Sequence, residues 1–232
     1  MINTIYRLVA PRRFEIAFED IELFGENAIV RPTYLSICNA DMRYYLGTRD
    51  AKVLAEKLPM ALIHEGVGEV FFDPTNTFKP GDKVVMVPNA PVETDDYIAE
   101  NYLRSSKFCG SSMDGFLQEF VEISPKRLVK LPNDIDMTVA AFTEIVGGNG
   151  SPIAIDQIIG LIKPEGTISI LGVSEYPVPI NTRMILEKGL RVFGSSRSGV
   201  KDFAKTVEMY EKHPEIIDYL GNLISSVNTV RT

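Results

Sequence analysis

The chain has 232 residues, of which 45% are hydrophobic and 24% charged, so it is long enough and apolar enough to bury one large core or two modest ones. This composition rules out intrinsic disorder as the main state. The 24 basic and 31 acidic residues give a net charge of −7 without any basic stripe, so no nucleic-acid partner is expected.

The first half of the sequence reads as mainly β structure. Its apolar residues form short runs separated by Pro, Gly, Asn and Asp, which is the spacing of sheet or barrel strands. A short helix is predicted over residues 50–57, with Asp50 as its N-cap. The strand candidates are residues 28–30, 67–72, 84–87 and 116–123.

The apolar period changes after about residue 147, beyond a Gly-rich stretch that reads as a turn or linker. Helices now alternate with short buried strands, a pattern that predicts parallel pairing and an α/β region. The first helix has Ser151 as its N-cap and Pro152 in its first turn. The later candidates are a strand at 167–171, a helix at 180–188, a strand at 190–193 and an amphipathic helix at 201–212.

Two cysteines, Cys38 and Cys109, are too few for a disulfide framework, and no apolar run follows the charges near the N-terminus. The longest apolar stretches are well below the roughly 18 residues of a membrane span. A cytoplasmic protein without a membrane partner is therefore expected.

A possible metal-ligand set lies mostly in the β half: Cys38, the His64-Glu65 pair and Glu144. Zinc accepts thiolate, imidazole and carboxylate ligands in a tetrahedral site, and a catalytic site leaves one position open. Taken singly, each of these residues is more often structural, because a lone cysteine is usually a small buried hydrophobe.

Sequence context favours the metal site. Residues 30–47, VRPTYLSICNADMRYYLG, resemble the first ligand segment of the zinc-dependent medium-chain dehydrogenases, in which an Asp follows the Cys by three residues. Residues 59–70, PMALIHEGVGEV, resemble the Gly-His-Glu signature of that family, with Ile63 at the usual Gly position. Residues 78–88, 113–121 and 140–146 resemble three further family segments, which occur in the family's order.

The resemblance implies a fold of the α/β plus mainly-β class. Residues 1–146 would form a GroES-like β-barrel catalytic domain, and residues 147–232 part of a Rossmann-type, doubly wound nucleotide-binding domain. The first mononucleotide half and the closing elements of that domain have no counterpart in the sequence. The missing half would amount to about 60 to 90 residues. Three explanations of the absent half are open: a deletion, a natural remnant of the domain, and an incomplete sequence.

The same resemblance assigns site roles. Cys38, His64 and Glu144 would be zinc ligands, and Glu65 either a fourth ligand or a catalytic carboxylate beside the metal. Asp41 would accept a hydrogen bond from the His64 ring, the alternative being a capping Asp in a turn.

Two departures from the family pattern bear on the chemistry. Ala40 stands where the family has a proton-relay Ser or Thr, which leaves water, Tyr44 or Tyr45 as candidates. Only Cys109 remains of the four-Cys structural lobe, so one catalytic zinc and no structural zinc are expected.

The expected nucleotide is NADPH, although the sequence contains no G-x-G-x-x-G fingerprint. The family positions that approach the nicotinamide and its ribose correspond to Gly172, Val173, Ser195, Ser196 and Arg197. Without the resemblance, residues 195–199 would read as an ordinary polar loop.

The activity implied is zinc-assisted, NADPH-dependent reduction of a ketose phosphate. D-ribulose 5-phosphate is the expected substrate and D-ribitol 5-phosphate the product, used for CDP-ribitol and teichoic acid. A zinc-dependent polyol or alcohol dehydrogenase of another substrate, and a metal-binding remnant unable to catalyse, are the alternatives. A homo-oligomer, dimer or tetramer, is expected from the same resemblance.

Overall fold

The structure is a computed structural model that describes residues 1–143, 152–170 and 177–229, with the side chains of 152–154 left aside. These residues fall into two compact units. One is made of residues 1–143 together with 198–229, and the other of residues 152–170 and 177–197. Within the described ranges, no helix has the length and apolar character needed to cross a bilayer.

The first unit is built on antiparallel sheets. A five-stranded sheet has the order β10-β6-β5-β3-β9, a three-stranded sheet the order β2-β1-β4, and β7 pairs with β8. The strands are β1 (Ile2–Ala10), β2 (Arg13–Asp20), β3 (Ala28–Ser36), β4 (Met60–Ala61), β5 (Glu65–Phe72), β6 (Lys83–Met86), β7 (Asn89–Ala90), β8 (Lys107–Phe108), β9 (Val121–Ile123) and β10 (Leu128–Lys130). Helices α1 (Asn39–Leu46) and α2 (Ala51–Lys57) lie between β3 and β4, and helix α3 (Met137–Ala140) follows β10.

The five-stranded sheet is covered on both faces, as the alternation of its side chains requires. Val70 and Val84 belong to a core cluster that includes Phe116, while Val67 and Val85 belong to a second cluster. The mainly-β prediction for the first half is confirmed, and so is helix α2, whose N-cap Asp50 accepts a hydrogen bond from the Lys52 amide at 2.8 Å.

The predicted strand at 116–123 is shorter in the structure, where only Val121–Ile123 form β9. The residues before it pair with another segment. The amides of Gly115, Phe116 and Leu117 donate to the carbonyls of Ala61, Ile63 and Leu62. These backbone bonds hold the segment that leads into His64.

The C-terminal helices α6 (Val200–Lys212) and α7 (Glu215–Gly221) belong to the first unit. Phe203 and Val207 of α6 are buried in the same cluster as Val67 and Val85. The chain therefore returns to the β unit after residue 197, whereas the sequence placed all residues from 147 to 232 in one domain. The reason is that the apolar face of α6 covers the face of the five-stranded sheet that carries Val67 and Val85.

The second unit contains α4 (Pro152–Leu161), β11 (Thr167–Ile170), α5 (Thr182–Lys188) and β12 (Arg191–Gly194). The two strands pair in parallel, with Thr167 opposite Arg191, which confirms the α/β prediction for this region. Lys188 donates to the carbonyls of Ile159, Gly160 and Ile162, and so caps the C-terminal end of α4. The predicted N-cap Ser151 lies outside the described residues.

The turn between β5 and β6 is closed by Asp73, which gives a prediction about pH. Burial favours the neutral carboxyl, but hydrogen bonds from Phe78 and Thr75 to the carboxylate outweigh it, so the pKa of Asp73 is lowered. This ion contributes stability above its unfolded pKa of about 3.9, and the contribution is lost as pH falls through the lower folded value.

The free energy of unfolding of the wild type should exceed that of Asp73→Asn by a constant amount above about pH 5, and this difference should become smaller below about pH 4. Urea unfolding across this pH range measures the difference. Parallel curves down to the acid limit would contradict the role given to Asp73.

Candidate metal centre

Three side chains of the first unit converge to form a cluster. Cys38 precedes α1, and His64 and Glu65 lie where the chain enters β5. The Cys38 Sγ lies 3.7 Å from the His64 Nε2, and that nitrogen lies 3.8 Å from a Glu65 oxygen. The three potential ligand atoms all lie within 4.8 Å of one another. Among the described residues this is the group of His, Cys, Asp and Glu side chains that could hold a metal ion.

The donor set and its spacing fit zinc. Zn–S and Zn–N bonds of about 2.3 and 2.0–2.1 Å in a tetrahedral site place their ligand atoms roughly 3.5 Å apart. The observed separations, 3.7 and 3.8 Å, need only small side-chain movements. The fourth ligand predicted from the sequence, Glu144, lies outside the described residues.

The environment of Cys38 favours the neutral thiol when no cation is present. Burial, with the negative charge of Asp41 as the next cause, raises the pKa of this thiol to about 12. A metal ion that binds the thiolate must therefore displace a proton.

The backbone before the cluster is strained at Ile63, which has φ +72°. A β-branched residue rarely adopts this left-handed region, where Gly costs nothing, and such strain costs on the order of 1–3 kcal/mol. The sequence shows Ile63 at a usual Gly position, and the structure supplies the physical reason for that preference. The Ile63 amide donates to Asp41 and its carbonyl accepts from Phe116, so hydrogen bonds on both sides hold the strained residue.

Asp41 acts as a bridge between two backbone segments. Its buried carboxylate accepts one hydrogen bond from the Cys38 amide at 3.0 Å and another from the Ile63 amide at 2.9 Å. Asp41 and His64 are both described residues, and the structure shows no hydrogen bond between their side chains. The bond from the Cys38 amide is that of a capping Asp, the alternative considered from the sequence. The bond from the Ile63 amide is additional, and it fixes the residue before His64.

Asp41→Asn is expected to weaken both the fold and the metal site. An amide group must turn its NH₂ toward one of the two donors, so one buried N–H loses its acceptor at a cost of about 1–3 kcal/mol. Because the lost bond adjoins a ligand, zinc affinity should also fall, by about 10- to 100-fold. Urea unfolding and competition with a chelator measure the two effects.

Asp50→Asn is the control, because Asp50 also accepts a backbone hydrogen bond at the start of a helix, as the N-cap of α2, and Asn is nearly as good an N-cap. It should leave zinc affinity unchanged. Equal effects of the two substitutions on zinc would contradict the bridging role of Asp41.

Phe108, which the sequence did not single out, covers the His64 ring. The two ring centroids lie 5.2 Å apart, with a tilt of 60° between the ring planes. Phe108 lies on β8, opposite Asn89 of β7. No motif pointed to this residue, because the contact depends on how the β7–β8 hairpin folds over the cluster.

Three other predicted residues have contacts of their own. Tyr44 is buried in a core cluster with the Arg49 guanidinium over its ring, and Tyr45 stacks on Phe14, so neither of these contacts involves the cluster. Cys109 is buried, and its sulfur accepts a hydrogen bond from Arg127 at 3.1 Å. The absence of a structural zinc stays a prediction.

The predicted nicotinamide contacts fall in the second unit. Gly172 and Val173 lie outside the described residues. Ser195, Ser196 and Arg197 follow the carboxyl end of β12, and the Ser195 amide donates to Ile170 of β11. Ligands of parallel sheets bind at such carboxyl ends.

Comparison with known proteins identifies the family of the chain. Residues 25–133 match the family described as alcohol dehydrogenase GroES-like domain. The chain is 41% identical to a ribulose-5-phosphate reductase of Bacillus spizizenii over 316 aligned positions, covering 100% of this chain and 93% of the relative. A Staphylococcus aureus ribulose-5-phosphate reductase is 41% identical as well, with 96% of this chain and 90% of the relative covered.

A solved structure, S. aureus TarJ in complex with NADPH, superposes with a TM-score of 0.80 at 36% identity. The match covers 98% of this chain and 93% of TarJ. The curated relatives of this chain are thus named as reductases, and the structural relative TarJ binds NADPH. The GroES-like fold predicted for the β half is confirmed, and the chain belongs to the medium-chain dehydrogenase/reductase family.

Proposed function

We propose that this protein reduces D-ribulose 5-phosphate to D-ribitol 5-phosphate, with zinc at the Cys38–His64–Glu65 cluster and NADPH as the reductant. The observation that carries the proposal is a zinc-compatible ligand cluster in a chain 41% identical, over its whole length, to a ribulose-5-phosphate reductase. Supply of ribitol phosphate for teichoic acid synthesis follows from the same proposal.

Cys38, His64 and Glu65 would hold the zinc ion, with Glu144 as the expected additional ligand. Bound there, zinc supplies a Lewis acid that polarises a carbonyl oxygen and stabilises developing negative charge. The protein fixes the ligands in advance: Asp41 ties the Cys38 amide to the segment before His64, and the Phe108 ring packs against the imidazole. Such preorganisation is what makes electrostatic stabilisation effective.

A second candidate function, metal binding without turnover, is favoured by one observation. The alignment to the Bacillus relative has 316 positions and this chain 232 residues, so 84 positions have no residue of this chain. This difference and the missing G-x-G-x-x-G fingerprint favour a chain that binds metal without binding NADPH by itself.

Zinc-loaded full-length chain, titrated with NADPH and then given ribulose 5-phosphate, distinguishes these functions. Saturable binding by NADPH fluorescence, followed by oxidation of NADPH, supports the reductase. Stoichiometric zinc without NADPH binding supports the metal-binding module. If NADPH is oxidised with xylulose 5-phosphate or an unphosphorylated ketose but not with ribulose 5-phosphate, the protein reduces a different ketose.

Three finer expectations complete the proposal. The chain binds one zinc ion, works in the cytoplasm and forms a dimer or tetramer. Elemental analysis of the purified chain should give one zinc per chain. Light scattering coupled to size-exclusion chromatography measures the mass of the assembly in solution.

A further inference from the structure

Two polar side chains in the described part of the chain are buried next to the metal cluster without a hydrogen-bond partner. Ser36 is 5% exposed, and its hydroxyl has no partner. Asn89 is 1% exposed, and neither its amide nitrogen nor its amide oxygen has one. A buried polar group left unpaired is costly, so each such group in a folded protein calls for an explanation.

Strand pairing places both side chains beside the cluster. Ser36 is the direct antiparallel partner of Glu65, and Asn89 is the direct partner of Phe108, whose ring contacts His64. Residues directly opposite one another in an antiparallel ladder project from the same face, with Cβ atoms about 4.5–5.5 Å apart. Ser36 thus shares a face with Glu65, and Asn89 shares a face with the aromatic ring that covers His64.

We propose that Ser36 and Asn89 hydrogen-bond the hydroxyl groups of the substrate's polyol chain, and so determine specificity for a polyhydroxylated substrate. The inference rests on the proposed function. A hydroxyl accepts and donates, and a carboxamide offers two donors and an acceptor, which together match successive sugar hydroxyls. A simple alcohol leaves both groups unpaired, and a buried site of this kind discriminates strongly against ligands that lack the matching hydroxyl.

The same groups make a distinctive prediction about stability. If they await a ligand, replacing them with apolar residues removes an unpaired polar group from the free protein. The midpoint of thermal unfolding should then stay the same or rise while ligand binding weakens. If instead they have a structural role, for instance by holding an ordered water, the same substitutions should lower the midpoint.

The experiment uses zinc-loaded full-length chain and its Ser36→Ala, Asn89→Leu and Asn89→Ala variants, the last in case leucine is too large. Calorimetry in the presence of NADP⁺ measures binding of ribitol 5-phosphate and of pentyl phosphate, which has the same chain length without the hydroxyls. Each substitution should weaken ribitol 5-phosphate by about tenfold and leave pentyl phosphate unchanged. Asn133→Leu, at an exposed position of the same unit, is the control.

The outcomes separate the two proposals. If wild type binds ribitol 5-phosphate and the variants bind it equally well, or if their unfolding midpoints fall, the assignment of Ser36 and Asn89 is overturned and the proposed function stands. If zinc-loaded wild type binds no ribitol 5-phosphate, the proposed function and the assignment fail together. If the Ser36 and Asn89 variants lose preference for ribitol 5-phosphate over pentyl phosphate while Asn133→Leu keeps it, both proposals are supported.

Discussion

Replacing His64 with alanine is expected to abolish stoichiometric zinc binding. The imidazole is the central member of the cluster, since its Nε2 lies near both the Cys38 sulfur and a Glu65 oxygen. Loss of residues that merely orient zinc ligands already reduces affinity by about 10- to 100-fold, so loss of a ligand should exceed about 10²-fold. Elemental analysis gives the zinc content, and Co²⁺ substitution reports the thiolate ligand through its charge-transfer absorption.

Cys38→Ser should behave like His64→Ala and also remove the thiolate absorption. Cys109→Ser is the control, because Cys109 is a buried cysteine hydrogen-bonded to Arg127 rather than a member of the cluster. It should retain one zinc per chain. Retention of zinc by both cluster variants would show that the metal, and the chemistry built on it, belongs elsewhere.

Gly115→Ala is expected to destabilise the first unit by more than about 3 kcal/mol. A Cβ at this position would lie less than 3.0 Å from the carbonyl oxygens of Leu62 and Ile63. These are backbone atoms of the segment that is strained at Ile63 and fixed from the other side by Asp41. Neither backbone can move away without breaking the hydrogen bonds that lead into His64, so zinc affinity should fall with stability.

Gly25→Ala is the matched control, since its Cβ would have no neighbour closer than 4.0 Å. Urea unfolding should show a large loss for Gly115→Ala and a change within about 0.5 kcal/mol for Gly25→Ala. Similar unfolding curves for the two variants would contradict the close packing at Gly115.

Local signals in the sequence predicted the elements that depend on neighbouring residues. Asp50 before an apolar-periodic run marked α2, and the alternation of strand and helix after residue 152 marked the parallel pair β11–β12. The amphipathic spacing of Phe203, Val207 and Tyr210 also predicted α6. The surface on which that helix packs depends on contacts more than a hundred residues away, which periodicity does not encode.

The site shows the same division. Cys38, His64 and Glu65 were predicted from motifs, and the structure brings them together, while the ligand role of Glu144 stays a prediction. Asp41 was predicted as a partner of the His64 ring, but its oxygens bind two backbone amides, a detail that residue type and spacing do not specify. Ser36, Asn89 and Phe108 carry no motif, because their significance comes from strand register and burial.

The return of the C-terminal helices to the first unit has a consequence for biosynthesis. The five-stranded sheet that carries Val67 and Val85 is complete once β10 has left the ribosome, but α6 follows only about 70 residues later, on the order of ten seconds at typical synthesis rates. During that interval the nascent chain exposes an apolar sheet surface. The growing chain is therefore a natural client for chaperones, and a ribosome-stalled chain ending before residue 200 should be retained by them longer than the full chain.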